Sequence, residues 1–327
     1  MKVGKVPETV LKRSVFKQIH KRRDEVIVRP GVGEDCSMLK LGEGEVFVVS
    51  TDPITGAASD IGTLAVHITA NDLASAGAEP VGILLTVLLP EHSEESDLKQ
   101  IMREVETVCA ELNIEIVGGH TEVTKVVNQP VLSVTGIGKT GENQIICTAG
   151  AKAGQDIVMT KWAGLEGTAI IASSREEELL SRYSREFVDG AKAFITSISI
   201  VKEAMLAKDL GATAMHDITE GGVFGALWEM ASASKVGLVA DLRKIPLKQE
   251  TVEICNFFDL NPYQLISSGC LLIAADRGDR LVEALSKEGI ESAVIGHFTE
   301  GNDKVVLHGD ERRYLEPPKE DELYKVQ

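Results

Sequence analysis

Carboxylates mark the places in this chain where chemistry could occur. Asp35 follows Gly33-Glu34, Asp52 sits in Ser50-Thr51-Asp52-Pro53, and Asp72 follows Asn71. Glu122 closes Gly118-Gly119-His120-Thr121-Glu122, and Asp217 opens Asp217-Ile218-Thr219-Glu220-Gly221-Gly222. Magnesium takes a few carboxylates and completes its shell with water and substrate phosphates. A dispersed acidic set of this kind can hold a triphosphate through divalent cations, even in a chain of net charge −16. The plainer alternative is turn chemistry at Glu34, Asp35 and Asp52, and a carboxylate satisfied by a backbone or Arg contact at Asp72.

The elements that must position these groups follow from periodicity. Ile61 to Pro80 reads as a helix opened by Ser59 or Asp60 and stopped by Gly77 and Pro80. Its apolar stripe is Ile61, Leu64, Ala65, Ile68 and Ala76, and Asp72 falls on that stripe, where an unpaired carboxylate is costly. Strands are expected at Val46–Ser50, Val81–Leu89, Ile114–Val117 and Val131–Lys139, and an amphipathic helix at Ser93–Leu112. Asp52 then lies at a strand end, and Gly118-Gly119 form a turn that lets backbone approach a ligand, with His120 and Glu122 beside it. This half predicts an α+β sandwich with one helical layer.

A second unit is expected after the glycine-rich Cys147–Gln155, giving domains 1–148 and 149–327. It begins with a strand at Asp156–Thr160, and helical segments run from Leu165 to about Asp209. The strand Thr213–His216 leads into the Asp217 turn, which opens a helix Val223–Ser234 and resembles an anion site at a helix N-terminus. A plain N-cap by Thr219 or Asp217 is the alternative. A strand at Leu271–Ala275, a helix at Arg277–Glu288 and strands at Ala293–Phe298 and Val305–His308 follow. Residues 1–25 read as a helix with a solvated basic face, Lys17 to Arg23. The tail Glu316–Gln327 reads as surface-attached or mobile.

Composition bounds the function. A hydrophobic fraction of 43% and a charged fraction of 26% are those of a globular protein. Aromatics at 4% offer no stacking platform for bases. The acidity argues against nucleic-acid or membrane partners and for a small-molecule enzyme. The five cysteines have no CxxC or zinc spacing, which points to a reducing cytoplasm. No signal peptide and no membrane span is expected. No Walker A, GxGxxG after a strand, GxSxG or HExxH sequence is present.

The ordered segments GEDCSML, STDP, IGTLAVHITANDLASAGAEP, VGGHTEV, HDITEGGVFGALWEMA and SSGCLLIA resemble the aminoimidazole-ribonucleotide-synthetase-like (PurM-like) superfamily over nearly the whole chain. That superfamily includes selenophosphate synthetase, thiamine-monophosphate kinase and the hydrogenase-maturation protein HypE. The resemblance implies a two-domain α+β fold: a mostly antiparallel N-terminal sheet domain that forms a homodimer and a C-terminal α/β domain. It also implies ATP held with Mg2+ in an acidic cleft. Carried onto this chain, Asp35, Asp52 and Asp72 are the implied metal and phosphate ligands, with Asn71 beside them. Gly118, Gly119, His120 and Glu122 are part of the nucleotide-binding turn, and Asp217, Thr219, Gly221 and Gly222 are the second-domain contribution. Asp72, Asp217 and His120 are the catalytic candidates. No cysteine precedes Cys36, which sets the selenophosphate branch aside. The phrasing is most similar to HypE, whose members carry a carbamoyl group on a C-terminal cysteine and dehydrate it with ATP, and maturation-protein partners would follow from that branch. This chain ends Asp-Glu-Leu-Tyr-Lys-Val-Gln, with no cysteine after Cys270. The expectation is therefore an ATP-dependent HypE-like enzyme with another acceptor, small-molecule or protein-borne. The alternatives are a kinase of the thiamine-monophosphate type and a non-catalytic nucleotide-binding scaffold dimer.

Overall fold

The computed structural model describes residues 4–5, 10–28, 38–55, 60–317 and 320–326. Asp35, with Gly33, Glu34, Cys36 and Ser59, lies outside the described residues. Contacts divide the chain into two compact units, residues 1–74 with 78–145, and residues 75–77 with 146–327.

The first unit carries strands β1 (Gly4–Lys5), β2 (Val26–Val28), β3 (Met38–Leu39), β4 (Glu45–Ile54), β5 (Glu79–Leu89), β6 (Glu115–Val123) and β7 (Val131–Gly141), and helices α1 (Ile61–Ser75) and α2 (Glu95–Glu111). Five strands form one sheet in the order β1-β6-β5-β7-β4, antiparallel except for β5 with β6. That parallel pair needs a long crossover, and α2 supplies it. Helix α1 lies on one face of the sheet: a Cβ added to Gly136 would stand 2.5 Å from Thr69 and one at Gly138 3.5 Å from Leu73. The other face is open, with Phe47, Val49 and Leu84 exposed.

Three expectations change here. Helix α1 is buried nearly all round, through Leu64, Ala65, Val66, Ala70, Leu73 and Ala74, instead of along one stripe. Its consistently apolar character is that of a core helix. The basic N-terminal segment is not a regular α-helix: Leu11–Val15 is a π-helical turn and Phe16–Gln18 a 3-10 turn. The chain then runs extended because the amides of His20 and Lys21 donate to Glu106 Oε1, each at 2.7 Å, and that of Arg23 to Glu115. Three of its cations make ion pairs, Arg13 with Glu95, Arg22 with Glu115, and Arg23 with Glu25 and Glu79. Finally, β4 and β6 continue through Asp52 and through Gly118–Glu122, so both sit within strands and not in turns beyond them.

The second unit holds β8 (Asp156–Thr160), α3 (Leu165–Ser174), α4 (Glu176–Leu180), α5 (Arg185–Lys192), α6 (Val201–Asp209), β9 (Ala214–Asp217), α7 (Gly222–Ser234), β10 (Gly237–Asp241), α8 (Gln249–Phe258), β11 (Leu271–Ala275), α9 (Gly278–Lys287), β12 (Ser292–Thr299), β13 (Lys304–His308) and β14 (Glu311–Tyr314). Its sheet runs β14-β13-β10-β12-β8-β11-β9. The pair β10 with β13 is parallel and the others are antiparallel. One apolar cluster packs Leu227 and Met230 of α7 with Met159 and Phe298 of the sheet. A second joins Ile171, Leu179, Val188 and Ile254 to Leu323 of the tail. Each such side chain is worth about 1.5–3 kcal/mol when fully buried. Of the two readings of the tail, surface-attached or mobile, residues 320–326 follow the first, docked through Leu323 and the 3-10 turn Glu322–Lys325.

Candidate functional site

In the first unit, β4 and α1 bring two carboxylates to one hydroxyl. Ser50 and Asp52 are two residues apart on a strand, so they share the face that α1 covers. Asp72 on α1 meets them there: Ser50 Oγ makes a short bond to Asp72 Oδ2 and lies 3.5 Å from Asp52 Oδ2. A hydroxyl carries one proton, so it can serve one of these acids as donor and not both. Two carboxylates converging on one hydroxyl are groups that could hold a hard divalent cation, with phosphate or water oxygens in the remaining positions. Asn71 is buried beside Asp72. Ser50 is the member of this site that the reading for carboxylates passes over. Its signal is the two-residue spacing from Asp52 on a strand.

The sheet's pleat divides the rest of the expected set. Asp52 pairs in register with Val134, Val134 with Leu85, and Leu85 with Gly119. Gly119 therefore lies in the row of Asp52 and on its face, three strand spacings or roughly 14 Å away. Its φ of +151° and a would-be Cβ 2.0 Å from Leu85 O explain why glycine is required there. Gly118, His120 and Glu122 instead share the open face, in register with Leu84, Thr86 and Leu88. His120 Nε2 lies 3.2 Å from Glu122 Oε2, with both side chains substantially exposed. Within one unit, His120 and Glu122 cannot reach the cation that Asp52 and Asp72 would hold. Among the described residues no group of three or more His, Cys, Asp or Glu side chains converges as a metal site, and the third expected ligand, Asp35, lies outside them.

In the second unit, Asp217 ends β9, nearly buried, and Gly222 N donates to Thr219 O at 3.0 Å to close the turn. Gly221 and Gly222 have φ of +81° and +59°. A Cβ on Gly222 would stand 2.7 Å from the carbonyl oxygens of both Leu265 and Tyr263, so the backbone conformation and the packing loop account for the two glycines. Neither Thr219 nor Asp217 caps the helix. Gly221 N donates to Asp321 Oδ2 at 2.7 Å, so the expected anion position at the start of α7 is filled by the chain's own tail. Asp321 is 3% exposed, and its other oxygen accepts the amides of Leu323 and Ile266 at 2.8 and 3.2 Å. Cys270 is fully buried with Sγ donating to Trp162 O, and burial pushes its thiol up to about 12. A thiol so held is no nucleophile at neutral pH.

The N-terminal domain of AIR synthase related proteins matches residues 33–140, and their C-terminal domain matches residues 152–309. A hydrogenase expression/formation protein of Methanocaldococcus jannaschii is 30% identical over 316 residues, covering 93% of this chain and 91% of that protein. The carbamoyl dehydratase HypE of Cupriavidus necator is 30% identical over 282 residues, covering 82% and 77%. Among solved structures, a HypE in complex with ATP superposes with a TM-score of 0.80 at 20% identity, covering 96% of this chain and 95% of that one. The thiamine-monophosphate kinase of Stenotrophomonas maltophilia gives 0.74 at 22% identity, covering 87% and 92%. These two share the fold. No helix among the described residues is long and apolar enough to cross a membrane. With both family domains matched in order and relatives aligned over nearly its whole length, the chain belongs to the AIR synthase related proteins, with the PurM-like fold shared by HypE and thiamine-monophosphate kinase.

Proposed function

We propose that this chain is an ATP- and magnesium-dependent enzyme of the HypE-like kind, which activates an amide, carbonyl or phosphate-acceptor oxygen by phosphorylation. The observation that carries the reading is the meeting of Asp52 and Asp72 on Ser50. These residues would hold the cation, joined by Asp35 as a third ligand. Bound there, magnesium neutralises the phosphate charge that an acidic protein would otherwise repel. The chain's own groups do the rest. Ser50 orients Asp72. The similarity to a carbamoyl dehydratase at 30% identity and to a HypE fold solved with ATP supports this reading over a plain scaffold. Burial of Cys270, which pushes its thiol up to about 12, argues against it as the acceptor, and a small molecule or a protein-borne group fits that role. The open sheet face, with Phe47, Val49 and Leu84 exposed, fits a homodimer interface. On this reading His120 and Glu122 belong to that interface and not to the cation site of their own sheet.

Mg-dependent ATP turnover, measured against carboxamide and phosphate-monoester acceptors, tests the proposal. We expect turnover with one acceptor class and a loss of at least about a hundredfold in Asp72→Asn, as for removal of a group that acts on the reacting phosphates. Preference for phosphate monoesters would move the assignment to the kinase alternative. Equal turnover in wild type and variant would remove Asp72 from the site.

A further inference from the structure

The second unit carries a cavity that the proposed chemistry does not use. It encloses about 350 Å3, within the range of small-molecule sites, about 300–1,000 Å3. Its lining comes from the start of α7, the loop after α8, strands β13 and β14, and the segment that follows β14. One wall is a fixed pair of rings. Phe224 and Tyr263 stack with centroids 5.4 Å apart and planes 10° apart. Their backbones are tied as well: Phe224 N donates to Tyr263 O at 3.1 Å, and Tyr263 N donates to Asn261 Oδ1 at 3.1 Å. Tyr314, 62% exposed, brings a third ring from the edge strand β14. Aromatics make up only 4% of the chain, so three at one cavity are a local concentration.

The charges beside these rings select the sign of a ligand. Glu316 and Glu320 line the cavity, and both are exposed. Arg313, the cation among the lining residues, is paired with Glu311 at 2.9 Å. An entering anion would meet two carboxylates and an arginine already paired. An entering cation would meet those carboxylates and ring faces, whose quadrupole attracts positive charge. The chain itself displays this preference, since the Arg312 guanidinium stands over the Tyr314 ring, 5.5 Å from its centroid.

We propose that this cavity binds an organic cation, a guanidinium or alkylammonium group carried on an apolar stem. The flat guanidinium suits a stacked wall better than the compact ammonium, and buried Val306 and Leu315 offer the stem an apolar surface. The group could be borne by a free small molecule or by a basic residue of another protein, and the recognition is the same for both. The site lies wholly within the second unit and does not depend on the magnesium and ATP reading.

Ligand-observed NMR titration of the full chain at low salt tests the assignment. The probes are butylguanidinium, its neutral isostere butylurea, and the peptide N-acetyl-Gly-Arg-Gly amide. We expect saturable binding of the two cations, and binding of butylurea weaker by about tenfold or more. Tighter binding of butylguanidinium than of the peptide assigns a free small cation, and the reverse assigns a protein's basic residue. Tyr314→Ser combined with Glu320→Gln changes only exposed side chains and should weaken butylguanidinium by about tenfold. Tyr263→Leu, with its fold checked by thermal melt, should weaken it at least as much. No saturable binding of either cation, equal binding of butylurea, or affinity unchanged in both variants would overturn the proposal.

Discussion

The acidic pair of the first unit and the glycine turn of the second were drawn from the same kind of signal, a carboxylate beside a strand, yet they are opposite in balance. At Asp52 and Asp72, two carboxylates converge on one hydroxyl. At Gly221, Ile266 and Leu323, three amides converge on one carboxylate, so donors are already answered from within the chain. The first arrangement gathers two negative charges on one hydroxyl, and the second matches one carboxylate with three amides. A carboxylate near glycines does not by itself announce a ligand site. What decides is whether the donors around it come from the protein.

This contrast can be sharpened by removing charge at both places. Asp321→Asn replaces an acceptor of three amides with a poorer one and should lower stability by about 1–3 kcal/mol, the range for leaving buried donors unsatisfied. Chemical denaturation followed by circular dichroism reads it. Asp52→Asn, by the same measurement without magnesium, should change stability by less than about 0.5 kcal/mol or raise it, because a like-charge contact is relieved. If Asp52→Asn were the costlier of the two, the distinction between gathered charge and matched donors would fail. His120→Ala should have the smallest effect, within about 0.5 kcal/mol, since its pair with Glu122 is solvent-exposed. Its Mg-ATP binding by titration calorimetry should match wild type if His120 stands outside the cation site of its own sheet.

Much of the fold was legible in local pattern. The alternation and apolar runs of β5, β7, β8 and β11, and the amphipathic spacing of α2, are set by neighbours two to four residues apart. What was not legible depends on partners far along the chain. After Gln18 the chain leaves the helical path, where Glu106 and Glu115 accept the amides of His20, Lys21 and Arg23. The tail docks because Asp321 answers amides as far back as Gly221. Neither bond has a local signature. Gly118-Gly119 reads as a turn because paired glycines usually are one. In β6 the second glycine instead serves a close approach to Leu85, and the strand continues. That continuation sends His120 and Glu122 to the opposite face from Asp52, a separation that follows from the two-residue pleat once the strand's extent is known. Asp52 and Asp72 could be proposed as partners from sequence, but their meeting on Ser50 required the pairing of β4 with β7 beneath α1.

The most direct measurement is a thermal melt of wild type and Asp72→Asn, each with ATP and either magnesium or a chelator. A ligand that binds only the folded state stabilises it by about 2.7 kcal/mol at a hundredfold excess over its dissociation constant. The account predicts a magnesium-dependent rise in melting temperature for wild type that is absent in Asp72→Asn. An equal rise in both, or none in either, would contradict it.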